Sequence, residues 1–375
     1  MIKRHIAALT AIVGCAIGLA TPVMAATTTP GPATPAAATA PANQTIPRGL
    51  RPYSTSWLTP QRGIVLGYLK RATGARPYLI ATANGGKTWR SLPAPPLPYP
   101  LDNDVPYAVW QDGVIVATDG TRVYATTNGG RRWTAEKIGG WSASSYVGQL
   151  VVDGGRIFAL VTSNKAAAID AGTARSGALR AVKGLSISGS GAYGAVTTVG
   201  GPLQADLGND YVTEKYWYSR DAVHFAAARL PCPVGSYAML GGVRGGTVVA
   251  LCNGSPSDIG LGQNDKRVFT APKLGGAFKP SGPTLDSANG YDFAAASARD
   301  LTIATGFNLY VSVNAGKTWT SRIPQNNGAT FAGLAFPSAS VGYVVVNTYN
   351  NQLKEVDTLY RTANAGRTWR AVPLP

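Results

Sequence analysis

One eight-residue pattern, Ser/Thr-x-Asn-x-Gly-x-x-Trp, constrains this chain more than any other feature, because it occurs four times. The copies are Thr82-Ala-Asn84-Gly-Gly86-Lys-Thr88-Trp89, Thr126-Thr-Asn128-Gly-Gly130-Arg-Arg132-Trp133, Ser312-Val-Asn314-Ala-Gly316-Lys-Thr318-Trp319 and Thr362-Ala-Asn364-Ala-Gly366-Arg-Thr368-Trp369. Each follows a short β-rich run and opens another. The hydroxyl and amide side chains suit bonds to backbone groups inside a turn. The Gly suits a positive-φ position. The Trp begins the return strand and supplies an apolar body that a lone hairpin cannot bury, so neighbouring units must stack.

Two weaker copies extend the series. Ser219-Arg-Asp221-Ala-Val-His-Phe225 is one residue short, and Val268 to Phe278 is eroded. From Trp89 to Trp133 is 44 residues, from Trp133 to Phe225 is 92, and from Trp319 to Trp369 is 50. A period near 45 fits four short strands and their turns. The 92-residue gap then needs one unit without the motif, at about 148 to 184. The fold expected is all-β: a seven-bladed β-propeller of four-stranded antiparallel blades. It closes without exchange of a strand between its ends, with Gln44 to Leu50 as an added edge strand. Alternating runs, 45 Gly and 26 Pro agree with an all-β chain.

The repeated pattern resembles the BNR repeat, or Asp-box, of sialidase-like β-propellers, with Asn in the usual Asp position. Asp221 keeps the acid. The resemblance implies that Asn84, Trp89, Asn128, Trp133, Asp221, Phe225, Asn314, Trp319, Asn364 and Trp369 are structural. It also implies that ligands bind on the opposite face. The chain is similar, too, to the photosystem II assembly and stability factors, secreted propellers that act by binding partner proteins.

The ends point to export. Residues 1–25 read as a signal peptide, with Lys3, Arg4 and His5 before the apolar run Ile6 to Ala20 and a small-residue cleavage site at Val23-Met-Ala25. Ile12-Val-Gly-Cys15 also resembles a lipobox, which would make Cys15 a lipidated terminus. Residues 26–48 are rich in Ala, Thr and Pro and read as a disordered linker. The propeller takes 49–375. Localisation is therefore secreted or at the cell envelope, with no membrane span left after cleavage.

Cys232 and Cys252 remain outside the signal and suit one disulfide in an oxidising compartment. Two Cys and His224 do not make a metal site, and no cofactor is implied. The formal net charge is +16, two of which belong to Lys3 and Arg4. That excess favours anionic polymers, membranes or acidic protein surfaces as contacts. The basic residues are scattered and no nucleic-acid-binding motif is present. The partners expected are a protein or an anionic polysaccharide, with the chain a monomer.

A site is expected on loops opposite the repeated turns. Candidate loops are Pro95 to Asp104, Gly139 to Tyr146, Gly200 to Lys215, Asn253 to Arg267 and Tyr349 to Asp357. The binding candidates are Trp141, Tyr146, Asp206, Asp210, Tyr211, Asp258 and Asp265. The two longest loops would form a wall beside the channel, with Trp141 and Tyr211 as its aromatic contacts. Asp206-x-x-Asn209-Asp210 is oxygen-rich but lacks the spacing of an EF-hand loop.

Catalysis is the alternative. The resemblance raises an extracellular glycoside hydrolase of sialidase-like fold, with an arginine triad, a Tyr–Glu nucleophile pair and an Asp acid/base. Ser321-Arg322-Ile323-Pro324 matches the first-arginine segment only in wording, since it follows a repeat and lies on an outer strand. Glu136, Glu214 and Glu355 are the only glutamates. None pairs with a Tyr by spacing, so no catalytic residue is assigned. The reading is an exported, non-catalytic binding propeller.

Overall fold

The structure, a computed structural model, describes residues 46–71, 74–97, 107–139, 142, 145–198, 201–210, 212–254, 265–287, 290–306, 308–323, 329–349 and 355–375. The proposed signal, Cys15 and most of the linker lie outside them.

Among the described residues there is no helix, and the strands form four-stranded antiparallel meanders. The first comprises β1 (Arg51–Trp57), β2 (Gly63–Arg71), β3 (Gly74–Thr82) and β4 (Arg90–Leu92). The second comprises β5 (Tyr107–Gln111), β6 (Val114–Thr118), β7 (Val123–Thr126) and β8 (Thr134–Ile138). The stretch without the motif supplies β9 (Tyr146–Asp153), β10 (Arg156–Ser163), β11 (Ala166–Thr173) and β12 (Ala178–Ser188). Strand β8 pairs in parallel with β12 through Lys137 and Ala178, so these two meanders share one eight-stranded sheet.

Next come β13 (Tyr193–Thr197), β14 (Leu203–Asn209), β15 (Val212–Ser219) and β16 (Ala226–Ala227). They are followed by β17 (Tyr237–Arg244), β18 (Thr247–Asn253), β19 (Asp265–Ala271) and β20 (Lys279–Pro280), with the short β21 (Leu285–Asp286) added to β19. The chain ends with β22 (Gly290–Ala295), β23 (Leu301–Thr305), β24 (Leu309–Ser312) and β25 (Thr320–Arg322), then β26 (Ala329–Ala335), β27 (Gly342–Tyr349), β28 (Glu355–Thr362) and β29 (Arg370–Ala371).

The first strands of successive meanders adjoin one another. β1 meets β5, β5 meets β9, then β13, β17, β22 and β26 follow, and β26 returns to β1. The sheets therefore stand around a common axis as a closed ring. Second strands are covered on both sides, which is why they read as near-continuous apolar runs. All five residues of β6 are buried.

The core is divided among the junctions between sheets. Ile64, Leu66 and Leu79 pack against Ala108 and Ile115, whereas Val65 and Ile80 pack against Tyr343, Val345 and Leu359 of the last sheet. The junction of β13–β16 with β17–β20 has the smallest apolar cluster: Cys232, Ala238, Cys252 and the half-buried Phe269. Cys232 and Cys252 are disulfide-bonded there. The bond ties the segment leading into β17 to β18 where little apolar surface is available.

The four full repeats have one geometry. In the first, the Gly86 amide donates to Thr82 Oγ1 at 3.0 Å, the Thr82 hydroxyl donates to Asn84 Oδ1 at 3.0 Å, and the Thr88 amide donates to the same oxygen at 2.9 Å. Gly86 has φ 87, and a Cβ there would strike Val372 of the last sheet. Where the preceding Gly is replaced, Ala315 and Ala365 hold φ 62 and 57, so the turn imposes that conformation on a residue that resists it.

The indoles are half-buried and lean on the preceding sheet. Trp133 Nε1 donates to Pro93 O, and Trp89 Nε1 donates to Pro373 O across the closing seam, both at 3.2 Å. Phe225 and Phe278 take the same position in the weaker copies. Phe225 meets Phe158 of β10 edge-on, and Phe278 meets Tyr216 of β15.

Closure differs from expectation in one detail. The described part of the proposed edge strand, 46–50, is not a strand. A bond from the Gly49 amide to Pro375 O joins the described ends at 3.2 Å. Gly49 holds φ 80, so the chain turns there before it can run alongside the last sheet.

Candidate functional site

Of the expected binding residues, Tyr146, Asp206, Asp210 and Asp265 are among the described ones. Trp141, Tyr211 and Asp258 lie outside the described residues, as do residues 98–104 of the first candidate loop. Tyr146 opens β9 and is exposed; Asp265 opens β19 and is half-buried. Asp210 is exposed at a hairpin tip with φ 46. Most of the stretch expected as a loop from Gly200 to Lys215 is strand instead: Leu203–Asn209 forms β14, and Val212 opens β15. Leu203, Ala205 and Leu207 face one neighbour, and Gln204 and Asp206 alternate with them toward the other. A two-residue period was present, hidden by polar residues on the buried face.

Asp206 is wholly buried in mid-strand, far from any loop role. Neither carboxyl oxygen has a partner at hydrogen-bonding geometry. Burial pushes its pKa well above the carboxylate range, against the weaker pull of the Ala195 amide. Beside it the Tyr216 hydroxyl donates to Gln204 Oε1 at 2.7 Å, and the Tyr193 and Thr213 hydroxyls are 3.0 Å apart. This polar layer sits at the junction where the apolar cluster is smallest. The oxygens of Asp206 and Asp210 thus belong to different environments, one enclosed and one at the surface.

Other carboxyls are perturbed by burial. Glu136 on β8 is pushed up to about 7, with Ser176 Oγ 3.4 Å from its Oε2, and Asp170 on β11 is pushed up to about 6. Asp292 on β22 rises to about 6 although its oxygens accept the Phe293 and Leu334 amides at 2.9 Å. These groups lie on three different sheet segments, β8, β11 and β22. Arg322 ends the outer strand β25, remote from the ring's axis. Burial, and then the charges of Asp206 and Glu214, push the Tyr193 hydroxyl well above its ordinary pKa. A tyrosine nucleophile needs the opposite shift.

One open concavity lies at the closing seam, on the side of the repeated turns. It is a cleft of about 470 Å³ lined by Gly85, Gly86 and Lys87 from the first sheet and by Arg361, Asn364, Arg370 and Val372 from the last. Its size is that of a small-ligand or side-chain site. The charged residues lining it are Lys87, Arg361 and Arg370, and no carboxylate joins them.

Arg361 is held in place. Its Nε donates to the Tyr343 hydroxyl at 3.1 Å, its guanidinium lies 5.9 Å from that ring's centroid, and the hydroxyl donates to Pro60 O at 2.8 Å. Lys87 and Arg370 are exposed at the rim. Such an arrangement suits an oxyanion received by a preoriented guanidinium with two mobile cations alongside. Spacing gave no hint of this cleft, because its walls come from opposite ends of the chain. The one local signal is that a basic residue follows the Gly in each repeat.

No protein-family model matches the chain, and no curated protein matches it in sequence. Solved structures do. A puromycin-hydrolysing peptidase of Mycobacterium tuberculosis is 13% identical with a TM-score of 0.56, over 87% of this chain and 53% of that one. A PL25 ulvan lyase is 8% identical with a TM-score of 0.51, over 91% and 98%. YCF48 bound to a D1 peptide is 15% identical with a TM-score of 0.49, over 81% and 91%. The chain spans only about half the length of the peptidases it matches. At these identities the likeness is one of fold, and that fold is the β-propeller.

Proposed function

We propose that this chain is an exported, seven-bladed β-propeller of the Asp-box type that binds an acidic protein or polysaccharide and catalyses nothing. Support for seven blades comes from the cyclic order of first strands and from the 45-residue period of the turns. Support for the Asp-box type comes from the shared hydroxyl–Asn–Gly bonding of the four turns. Export rests on the character of residues 1–25 alone.

The observation that carries the binding reading is the seam cleft, where Lys87, Arg361 and Arg370 converge without an acidic neighbour. Carboxylate-bearing chains, whether glutamate-rich peptides or polyuronates, match it in charge. The experiment is calorimetric titration with oligoglutamate and with polygalacturonate, alongside a hydrolysis screen on fluorogenic glycosides. Binding of one of the polymers, weakened at least tenfold in Lys87→Gln/Arg370→Gln, is expected. Turnover of any glycoside, or binding indifferent to those substitutions, contradicts the reading.

A further inference from the structure

The four repeated turns share a charged position. The residue after the repeated Gly is Lys87, Arg131, Lys317 or Arg367, and each is exposed. Sheets with a weakened or absent motif keep a cation at the equivalent turn. Arg175 lies between β11 and β12, Arg220 between β15 and β16, and Lys273 between β19 and β20, all exposed. Every four-stranded meander thus presents a basic residue where its third strand turns into its fourth.

The charge outlasts the rest of the motif. The turn of Arg175 has neither the Asn nor the Trp, and that of Lys273 has lost the Asn. The turns do not need these cations for their own bonding. Among the described residues, Lys87, Arg131, Arg175, Arg220, Lys273 and Lys317 make no side-chain hydrogen bond or ion pair. Arg367 alone is engaged, by Asp300 Oδ1 at 3.0 Å and Asn364 O at 2.9 Å.

Meanders around a closed ring with adjoining first strands point these turns to one side, and the parallel β8–β12 pairing agrees. The carboxylates in the turns of that side are Asp112, Asp153, Asp221 and Asp300. Seven turn cations face these four carboxylates, and one of the four, Asp300, is already paired with Arg367. Cations therefore dominate the perimeter of this face.

We propose that the turn face docks on an anionic lipid bilayer. A single polymer chain crossing a ring meets it at two places. A planar layer of negative headgroups meets every turn at once, so a charge spread evenly over the rim is matched by a plane. The partially exposed Val313 and Val223, in two of these turns, add small apolar contacts on the same side. This inference goes beyond the seam reading and does not depend on it.

The test is co-sedimentation of the full chain with vesicles of phosphatidylcholine alone or with phosphatidylglycerol, at low and at physiological ionic strength. The wild type is expected on the anionic vesicles only, with partition falling as salt rises. Each surface cation contributes about fivefold at low salt, so Arg131→Gln/Arg175→Gln/Lys273→Gln, which leaves the seam intact, loses about a hundredfold. A charge-matched control on the opposite side, Arg76→Gln/Arg122→Gln/Lys165→Gln, is expected to keep most of the binding. Equal loss in both triple variants, or no binding to anionic vesicles, overturns the proposal. Loss of polygalacturonate binding in the first triple, with vesicles unbound by the wild type, also overturns it and assigns the rim to a polymer. Failure here leaves the seam titration unaffected.

Discussion

Trp57 and Tyr343 stack face to face, with ring centroids 3.4 Å apart and planes within 3° of parallel. One ends the first strand of the first sheet, and the other lies in the second strand of the last. Trp89 meets the same indole edge-on at 6.3 Å, and the Trp57 ring also fills the space over Gly63, which no Cβ could share. Side chains from the two ends of the chain close the ring here, without an exchanged strand.

Replacing Trp57 by Ala is expected to cost about 3–5 kcal/mol, the range for large aromatic truncations in a core. Tyr343→Phe keeps the stack but removes the hydroxyl from Pro60 O and Arg361 Nε, at a cost of about 1–2 kcal/mol. Urea denaturation of both variants checks the order. A Tyr343→Phe midpoint lower than that of Trp57→Ala would place the closing energy in the hydrogen bonds.

Asn84 tests the turn chemistry. Its Oδ1 accepts the Thr88 amide and the Thr82 hydroxyl, while its Nδ2 donates to Thr88 Oγ1 at 2.8 Å. Asp preserves the acceptor, and the Thr88 hydroxyl can reverse to donate. Asn84→Asp should therefore shift stability by less than about 0.5 kcal/mol, and Asn84→Ala should lose about 1–2 kcal/mol. Thermal midpoints of the two variants decide it, and a matching loss in both would mean the amide is required.

Stability should fall as pH rises from about 4 to about 7. The folded-state pKa values of Glu136, Asp170 and Asp292 lie above their unfolded values, at about 7, 6 and 6, and that of Asp206 is well above. The folded state then holds more protons than the unfolded one in that window, so the stability present below the unfolded pKa is lost through the folded pKa. Lys266, lowered to about 8 by burial, acts in the other direction above that pH. Asp206→Asn should flatten the decline, with its advantage growing by about 1.4 kcal/mol per pH unit below the folded pKa of Asp206. Urea midpoints from pH 4 to pH 8 give the slope, and a wild-type midpoint rising over that range contradicts the sign.

Removing the Cys232–Cys252 bond should cost about 3 kcal/mol, given its 20-residue separation. The loss should appear first at the junction of β13–β16 with β17–β20, where apolar contact is least. Hydrogen exchange on Cys232→Ala/Cys252→Ala should quicken in β17 and β18 before it does in β1 or β6. Uniform acceleration would mean that this junction is no weaker than the others.

The architecture was legible because its signals are local. The hydroxyl–Asn–Gly–Trp turn fixes a hairpin, its period fixes the sheet, and the 92-residue gap in that period located β9 to β12 where the motif is missing. Phe225 and Phe278 mattered as much as the tryptophans, since both retain the wedge after the turn has decayed. Asp206 misled, because a polar stripe on a buried strand face resembles a solvated loop, as Gln204 and Asp206 do. The seam cleft was out of reach. Lys87 and Arg370 are ordinary surface residues until the ring closes and sets one beside the other, and Arg361 gains its orientation only from Tyr343 and Pro60.

The most direct test of the account is hydrogen exchange of the whole protein with and without polygalacturonate or oligoglutamate at low salt. Protection is expected at 85–92 and 361–373, the two walls of the cleft, and should vanish in Lys87→Gln/Arg370→Gln. Protection confined to the side of Tyr146, Asp210 and Asp265, with none at the seam, would contradict it.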